Sequence, residues 1–187
     1  MKNGKLKIAL LVLTITVMIN SLNAQQVYSF DKDLENWNSK TPAPPVPVST
    51  AISWEKGTDN NKGLAVLQPR ENPQNPGTTA TIHTVVYAPR NNGELKIKEY
   101  NYLKVTLKNK TDGNVLQVGT KPDAKGSKWS TQNLRISTQD SEFKTYTFTL
   151  DQKLKGENVD IKILVAQTKG EWTKDTKVYI DKIEFLK

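Results

Sequence analysis

Two tryptophans stand among polar and turn-forming residues rather than in an apolar stretch. Trp129 directly follows the segment 121–128, and Trp172 lies within 169–174. A flat indole face can pack against the C–H side of a pyranose ring, while neighbouring polar groups serve the sugar hydroxyls. Both tryptophans are therefore candidate sugar-binding residues. The alternative for each is a loop tryptophan that caps the core.

Further candidates lie beside these rings or on a predicted strand face. Lys125 and Lys128 precede Trp129 closely and would suit an acidic glycan, although solvated surface charge is the default interpretation of such lysines. Tyr102 lies on the lysine-bearing side of its predicted strand, where an exposed cross-strand tyrosine explains it equally well. For His83, a structural or surface role is favoured over a ligand contact.

Two aspartates near the chain ends could share a cation. In the last predicted strand, alternation places Asp181 in one row with Tyr179, Ile183 and Phe185. A carboxylate in an apolar row is costly unless it is paired, hydrogen-bonded or bound to a metal. Asp31 follows the first predicted strand, and side-by-side first and last strands would bring the two carboxylates together. A lysine partner for Asp181 is the alternative.

The composition excludes several kinds of chemistry. The 187 residues contain no cysteine, which excludes disulfides, a thiol nucleophile, a cysteine-ligated metal and an acylated lipoprotein anchor. With His83 as the only histidine, a serine–histidine–aspartate triad has little support. We therefore expect a protein that is not an enzyme. A small β-sandwich polysaccharide lyase or glycosidase, which needs two placed carboxylates or an Arg/His/Tyr set, is the enzymatic alternative. A structural or adhesion module is the third possibility.

The N-terminus has the features of a signal peptide. Three lysines precede an apolar run from Ile8 to Ile19, which is shorter than the ~20 residues of a membrane span, and small residues end at Ala24. We expect a signal peptide over 1–24 and one domain over 25–187. Loss of the three lysines lowers the formal charge from +8 to +5, too little to indicate a nucleic-acid partner. The mature chain is predicted to be a secreted or periplasmic monomer without stable membrane insertion.

The remaining chain alternates apolar and polar residues with a period of two, which predicts strands rather than helices. Half-apolar strands need a second sheet to cover them, so the prediction is an all-β, two-sheet antiparallel sandwich of about ten strands. The turn residues at 111–113 predict a hairpin between strands beginning near Leu103 and Val115. Trp37 and Trp54 are predicted core residues, and the proline-rich segments 41–47 and 69–77 are predicted loops.

Three motifs carry a resemblance to a known family. They are Phe30-Asp31-x-x-Leu34-x-x-Trp37, Thr145-Tyr146-x-Phe148-x-Leu150 and Val178-Tyr179-Ile180-Asp181-Lys182-Ile183-x-Phe185. In order and spacing they resemble the jelly-roll, galactose-binding-like carbohydrate-binding modules of secreted bacterial glycan-degrading systems. The resemblance covers nearly the whole mature chain and implies a polysaccharide or oligosaccharide ligand.

The same resemblance implies a structural calcium ion. In that family, an acidic residue after the first strand and the aspartate of the final strand help to hold the ion, which here implies Asp31 and Asp181, with carbonyls from the neighbouring loop 59–63. Calcium favours oxygen ligands of this kind. The sequence departs from the family pattern in having Asp31 where glutamate is frequent, and Asn36 where glycine is frequent.

Overall fold

The computed structural model describes residues 24–38, 50–57, 62–69, 83–87, 97–122, 126–155, 159–166 and 176–187. Their regular structure is β-strand apart from one short 3-10 turn, Ile97–Glu99. The strands are β1 Ala24–Tyr28, β2 Thr50–Lys56, β3 Gly63–Pro69, β4 His83–Tyr87, β5 Tyr102–Asn109, β6 Val115–Pro122, β7 Ser130–Arg135, β8 Lys144–Thr149, β9 Val159–Ala166 and β10 Val178–Leu186. Ten strands in the described residues match the number that the alternation predicted.

The strands form two antiparallel sheets. Sheet A has the order β2-β3-β10-β5-β8, with β1 paired to the C-terminal half of β10, and sheet B has the order β4-β9-β6-β7. From β3 to β10 every connection passes from one sheet to the other, except the β6–β7 connection within sheet B. This is a jelly roll, and it confirms the predicted all-β, two-sheet sandwich.

The core lies between the sheets and is built from the alternating apolar rows. Leu103, Val105 and Leu107 of β5 are fully buried, as are Leu116 and Val118 of β6. Because alternate residues point to opposite faces, the side chains between them lie on the two outer faces of the sandwich. The inward rows that the sequence predicted for β5 and β6 are confirmed.

The two tryptophans predicted to be core residues differ. Trp37 is 1% exposed and packs edge-to-face against Tyr28, with 5.3 Å between ring centroids, so the prediction for Trp37 is confirmed. Trp54 is 37% exposed, and its indole Nε1 donates a hydrogen bond of 2.6 Å to the Phe30 carbonyl. The prediction for Trp54 is wrong, since the ring is 37% exposed and β2 is the edge strand of sheet A, with no described strand beyond it.

The hairpin predicted at 111–113 is also wrong. β5 belongs to sheet A and β6 to sheet B, so the chain crosses the sandwich at this point. The buried Asn109 side chain holds the crossing. Its Nδ2 donates to the carbonyls of Gly113 at 2.6 Å and Ser137 at 2.8 Å, and its Oδ1 accepts from the Thr111 hydroxyl at 2.6 Å. These bonds replace the ladder bonds that a hairpin would have made.

A β-bulge changes the expected orientation of the last strand. The pairing of β10 with β5 shifts register between Ile180 and Lys182, so Asp181 is the extra residue. Val178 and Ile180 are buried on one side of the bulge, and Ile183 and Phe185 continue the buried row on the other. Asp181 is only half-buried, so the prediction that it shares the apolar row is wrong.

Several predictions fall outside the described residues. They are the signal peptide up to position 23, the proline-rich segment 41–47 and the predicted loop 69–77 except for Pro69, which instead ends β3. Within the described residues, no helix has the length and apolar character needed to cross a membrane.

Candidate functional site

The outer face of sheet B carries the only sequence-predicted tryptophan candidate that the described residues include. Leu116 and Val118 of β6 enter the core, which leaves Gln117 and Gly119 on the outside. The register pairs Gly119 with Lys162 of β9 and with Thr131 of β7, so these strands contribute to the same surface. We call this surface, with Trp129 at its centre, the Trp129 face.

Trp129 lies over Gly119. A Cβ atom built on Gly119 would lie 3.2 Å from Trp129 Cε3 and 2.8 Å from Lys162 Cε. A glycine inside a strand often marks a site of close approach by another group, and here its missing side chain makes room for the indole. The ring is half-buried, so part of it remains accessible.

Lys162 lies beside the same ring. Its Nζ is 4.5 Å from the centroid of the Trp129 ring, which is within cation–π range. Burial lowers the pKa of Lys162, because removing water from an ammonium group disfavours its charged form. Among the described residues, the Lys162 ammonium has no carboxylate partner.

Amide and hydroxyl groups continue the Trp129 face along β6 and β7. Gln117 Nε2 donates to Asn133 Oδ1 at 2.7 Å, and Thr131 and Arg135 are exposed. An amide offers both donors and an acceptor, and a guanidinium offers five donors. The surface can therefore donate hydrogen bonds to hydroxyl groups and accept hydrogen bonds from them. An aromatic ring next to such groups suits a ligand with apolar C–H patches and hydroxyl edges.

The structure brings together only some of the predicted ligand residues. Lys128 is exposed next to Trp129, whereas Lys125 and Trp172 lie outside the described residues. Tyr102 is 43% exposed on the outer face of sheet A, so the body of the sandwich separates it from Trp129. The backbone of His83 pairs with that of Ala166 at the edge of sheet B, and its side chain lies outside the description.

The outer face of sheet A is chemically different from the Trp129 face. Lys108 Nζ lies 4.9 Å from the Phe143 ring centroid and 5.4 Å from that of Tyr179. The hydroxyls of Thr106 and Thr145 are 2.9 Å apart across β5 and β8. On this face Phe143 and Tyr179 therefore contact a lysine, and the two threonine hydroxyls contact each other.

The chain ends meet where the aspartate pair was predicted. β1 pairs with the C-terminal half of β10 and β3 with its N-terminal half, so Asp181 lies between the end of β1 and the start of β3. The predicted pairing of first and last strands is confirmed.

Two carboxylate oxygens at this place already have partners. Asp31 Oδ2 accepts from the Ser29 hydroxyl at 2.9 Å, and Glu35 Oε1 accepts from the amides of Ser29 and Phe30 at 3.0 and 2.9 Å. No group of three or more acidic or histidine side chains converges among the described residues. Asp31 and Asp181 alone supply too few oxygens for calcium, so carbonyls, waters or the segment 58–61, outside the description, would have to complete the set.

The sequence analysis did not predict Gly119 and Lys162 as site residues, although the strand pattern indicates that both face outward. The alternation used to find the core rows also gives the outward rows, and a glycine between Val118 and Thr120 interrupts a good strand pattern. Lys162 lies between Ile161 and Ile163, so its outward position follows from the same rule. The contact of Trp129 with both residues depends on the β6–β9 pairing, which no local pattern reveals.

No family model and no curated protein sequence matches the chain. Many solved structures have a similar fold, including the following three. One contains the CBM22-1-GH10 modules of Clostridium thermocellum endo-1,4-β-D-xylanase 10B complexed with xylohexaose. It aligns at 10% identity with a TM-score of 0.57, and the alignment covers 88% of this chain and 28% of that chain. An arabinose-bound α-L-arabinofuranosidase aligns at 9% identity and TM-score 0.57, covering 88% and 26%. The CBM22-1 xylan-binding domain of Paenibacillus barcinonensis Xyn10C aligns at 9% identity and TM-score 0.50, covering 87% of this chain and 94% of that domain.

This chain thus spans about a quarter of the two enzyme chains and nearly all of the xylan-binding domain. At such low identities the similarity concerns the fold. The chain therefore has the jelly-roll fold of carbohydrate-binding modules that the sequence motifs implied.

Proposed function

We propose that this chain is an exported, non-catalytic carbohydrate-binding protein that binds a polysaccharide or oligosaccharide across the Trp129 face. The observation that carries this proposal is the half-exposed indole of Trp129, which lies over Gly119 on a face that also carries the amides of Gln117 and Asn133. The fold shared with a xylan-binding domain supports it. The sequence features of a signal peptide support export to the periplasm or the medium.

The groups on the Trp129 face favour binding over bond cleavage. The indole offers a flat apolar surface for a sugar ring, and Gln117 and Asn133 offer hydrogen bonds to its hydroxyls. Asp160 is the only carboxylate on the described part of this face, and it is 8% exposed. Hydrolysis of a glycoside generally needs two carboxylates flanking the scissile bond.

The test is the affinity of the mature protein for xylohexaose, mannohexaose and a wider glycan array, measured by calorimetry. We expect Trp129→Ala to remove a stacking contact of about 1–3 kcal/mol, by analogy with base–aromatic stacking, and to weaken binding roughly ten- to a hundredfold. The melting temperature should stay near that of the wild type, because the ring is outside the core. A fully buried tryptophan would instead cost about 3–5 kcal/mol of stability.

Two further variants make the result specific to one face. Phe143→Ala removes a half-buried ring from the sheet A side and is the matched control that should keep full affinity. Tyr102→Ala tests the competing face. Loss of binding in Tyr102→Ala with full binding in Trp129→Ala would move the site to sheet A. Unchanged binding in Trp129→Ala, Trp172→Ala and Tyr102→Ala would contradict the proposal.

A further inference from the structure

Four cations on the Trp129 face take no part in the ion pairs that the described residues form, although Asp160 lies across from Lys121 on this face. Lys121, Lys162 and Arg135 lie along β6, β9 and β7, with Lys128 next to Trp129 in the chain. None of the four forms an ion pair with a described carboxylate. On the sheet A side, Lys177 pairs with Glu55 at 2.9 Å and Lys182 with Glu184 at 3.2 Å.

Lys162 is the most informative of these cations. It is half-buried and lies over an aromatic ring, and it forms no described ion pair, although Asp160 is two residues away on the same face of β9. A charge that has lost part of its hydration interacts more strongly with an anion than a fully solvated charge does, because the local dielectric is lower. An anionic group that arrived with a ligand would therefore gain more at Lys162 than at an exposed lysine.

The spacing of the cations indicates an extended ligand. The register pairs Gly119 with Lys162, and Val115 with Arg135. Four residues separate Gly119 from Val115, so Lys162 and Arg135 stand roughly 13 Å apart along the strand direction. Lys121 lies two residues further in the opposite sense, roughly another 7 Å. One small anion cannot reach all three positions, whereas a polymer with repeated charges can.

We propose, on the basis of the function proposed above, that the glycan bound at the Trp129 face carries anionic groups, either uronate carboxylates or sulfate esters. One such group lies beside Lys162 while a sugar ring contacts Trp129. Arg135, with its planar fork of donors, binds a second group further along the polymer.

The experiment compares matched pairs of polymers by affinity electrophoresis and calorimetry. Polygalacturonate and its carboxyl-reduced form test for carboxylates, and ι-carrageenan and its desulfated form test for sulfates. We expect the charged member of one pair to bind at least tenfold more tightly than its uncharged counterpart at about 50 mM salt. This preference should shrink as salt rises, because exposed charges are screened.

Lys162→Met should remove most of that preference, so that the charged and uncharged members of a pair bind this variant with similar affinity. Lys108→Met is the matched control, since it removes another lysine that lies over aromatic rings, but on the sheet A side. It should keep the full preference. If Lys162→Met does not fold, Arg135→Gln replaces it, because Arg135 is exposed and its loss leaves the core intact.

Equal binding of charged and uncharged members, lost in Trp129→Ala, would overturn the anionic inference and leave the carbohydrate-binding function standing. A preference for charged polymers that persists in both Lys162→Met and Arg135→Gln would also overturn it. Failure to bind any polymer, together with failure of the neutral oligosaccharides above, would contradict the proposed function itself.

Discussion

At the scale of single residues, the position of Trp129 depends on the absence of a side chain at residue 119. The strand pattern around Gly119 would accept a β-branched residue, and glycine weakens a strand because it has no side chain to pack. Its presence is explained by the indole and the Lys162 stem that fill the space. The shape of the Trp129 face therefore depends on this glycine as well as on the tryptophan.

Gly119→Ala tests this role. The new Cβ would approach Lys162 Cε to 2.8 Å, and the flexible end of that side chain can move away at little cost. It would also press on Trp129 Cε3 at 3.2 Å, so the ring should shift outward. We expect carbohydrate affinity to fall by less than in Trp129→Ala, with no loss of melting temperature. Thr147→Ala, on the exposed edge strand of sheet A, is the control, and an unchanged affinity in Gly119→Ala would exclude this role for Gly119.

At the scale of elements, the connection between β5 and β6 shows where local patterns mislead. Asp112 and Gly113 are good hairpin residues, yet the two strands join different sheets. Asn109 and Asp140, both buried, fix the crossing. The Asn109 backbone N–H donates to Asp140 Oδ2 at 3.2 Å, and Asp140 Oδ1 accepts from Lys144 Nζ at 2.7 Å and the Ser137 hydroxyl at 2.5 Å. The polar residues after β5 indicated a local turn, but Asn109 forms hydrogen bonds with Asp140 and Ser137, which lie about 30 positions away in the sequence.

This cluster predicts sensitivity to acid. Burial by itself would raise the pKa of Asp140. Hydrogen bonds from Lys144, Ser137 and the Asn109 backbone N–H outweigh the effect of burial and hold the pKa below its ordinary value. A carboxyl with a lowered pKa in the folded state stabilises the fold above its unfolded pKa of about 3.9. That contribution is lost as pH falls from there through the folded pKa. Unfolding by urea should therefore show a fall in stability below about pH 4 that is smaller in Asp140→Asn.

Asp140→Ala extends the same test at neutral pH. It leaves the Asn109 backbone N–H without its described side-chain acceptor and Lys144 without its carboxylate, and we expect a loss of about 2–3 kcal/mol in the free energy of unfolding. Asp112→Ala is the matched control, because Asp112 is exposed in the same turn and bonds only to the Gln139 side chain among described groups. Its loss should stay within about 0.5 kcal/mol. Equal losses in the two variants would contradict a special role for Asp140.

At the scale of the whole molecule, the sequence predicted which residues face the core but not which strands are neighbours. Alternation is local, so the buried rows at 103–107 and 116–118 could be recognised directly. The jelly-roll order depends on contacts between distant segments, such as β10 between β3 and β5, and those have no local signal. The bulge at Asp181 is of the same kind, since it accommodates β1 and β3 on one edge of β10. The same holds for the candidate site. Trp129 was predicted from the polar residues around it in the sequence, whereas its contacts with Gly119 and Lys162 depend on the order of the strands in the sheet.

The pairing of the first and last strands leads to a final prediction, which concerns calcium. Asp31 lies just beyond β1 and Asp181 lies at the bulge of β10, so an ion held by both would join the two ends of the fold. Such an ion binds only the folded state and stabilises it by mass action. We propose that EDTA lowers the melting temperature and that added calcium restores it. Asp181→Asn should melt at one temperature with or without chelator, whereas Asp33→Asn, which changes an exposed acid in the same loop, should stay sensitive. A wild-type melting temperature that does not change with EDTA would remove Asp31 and Asp181 as metal ligands and favour a lysine partner for Asp181.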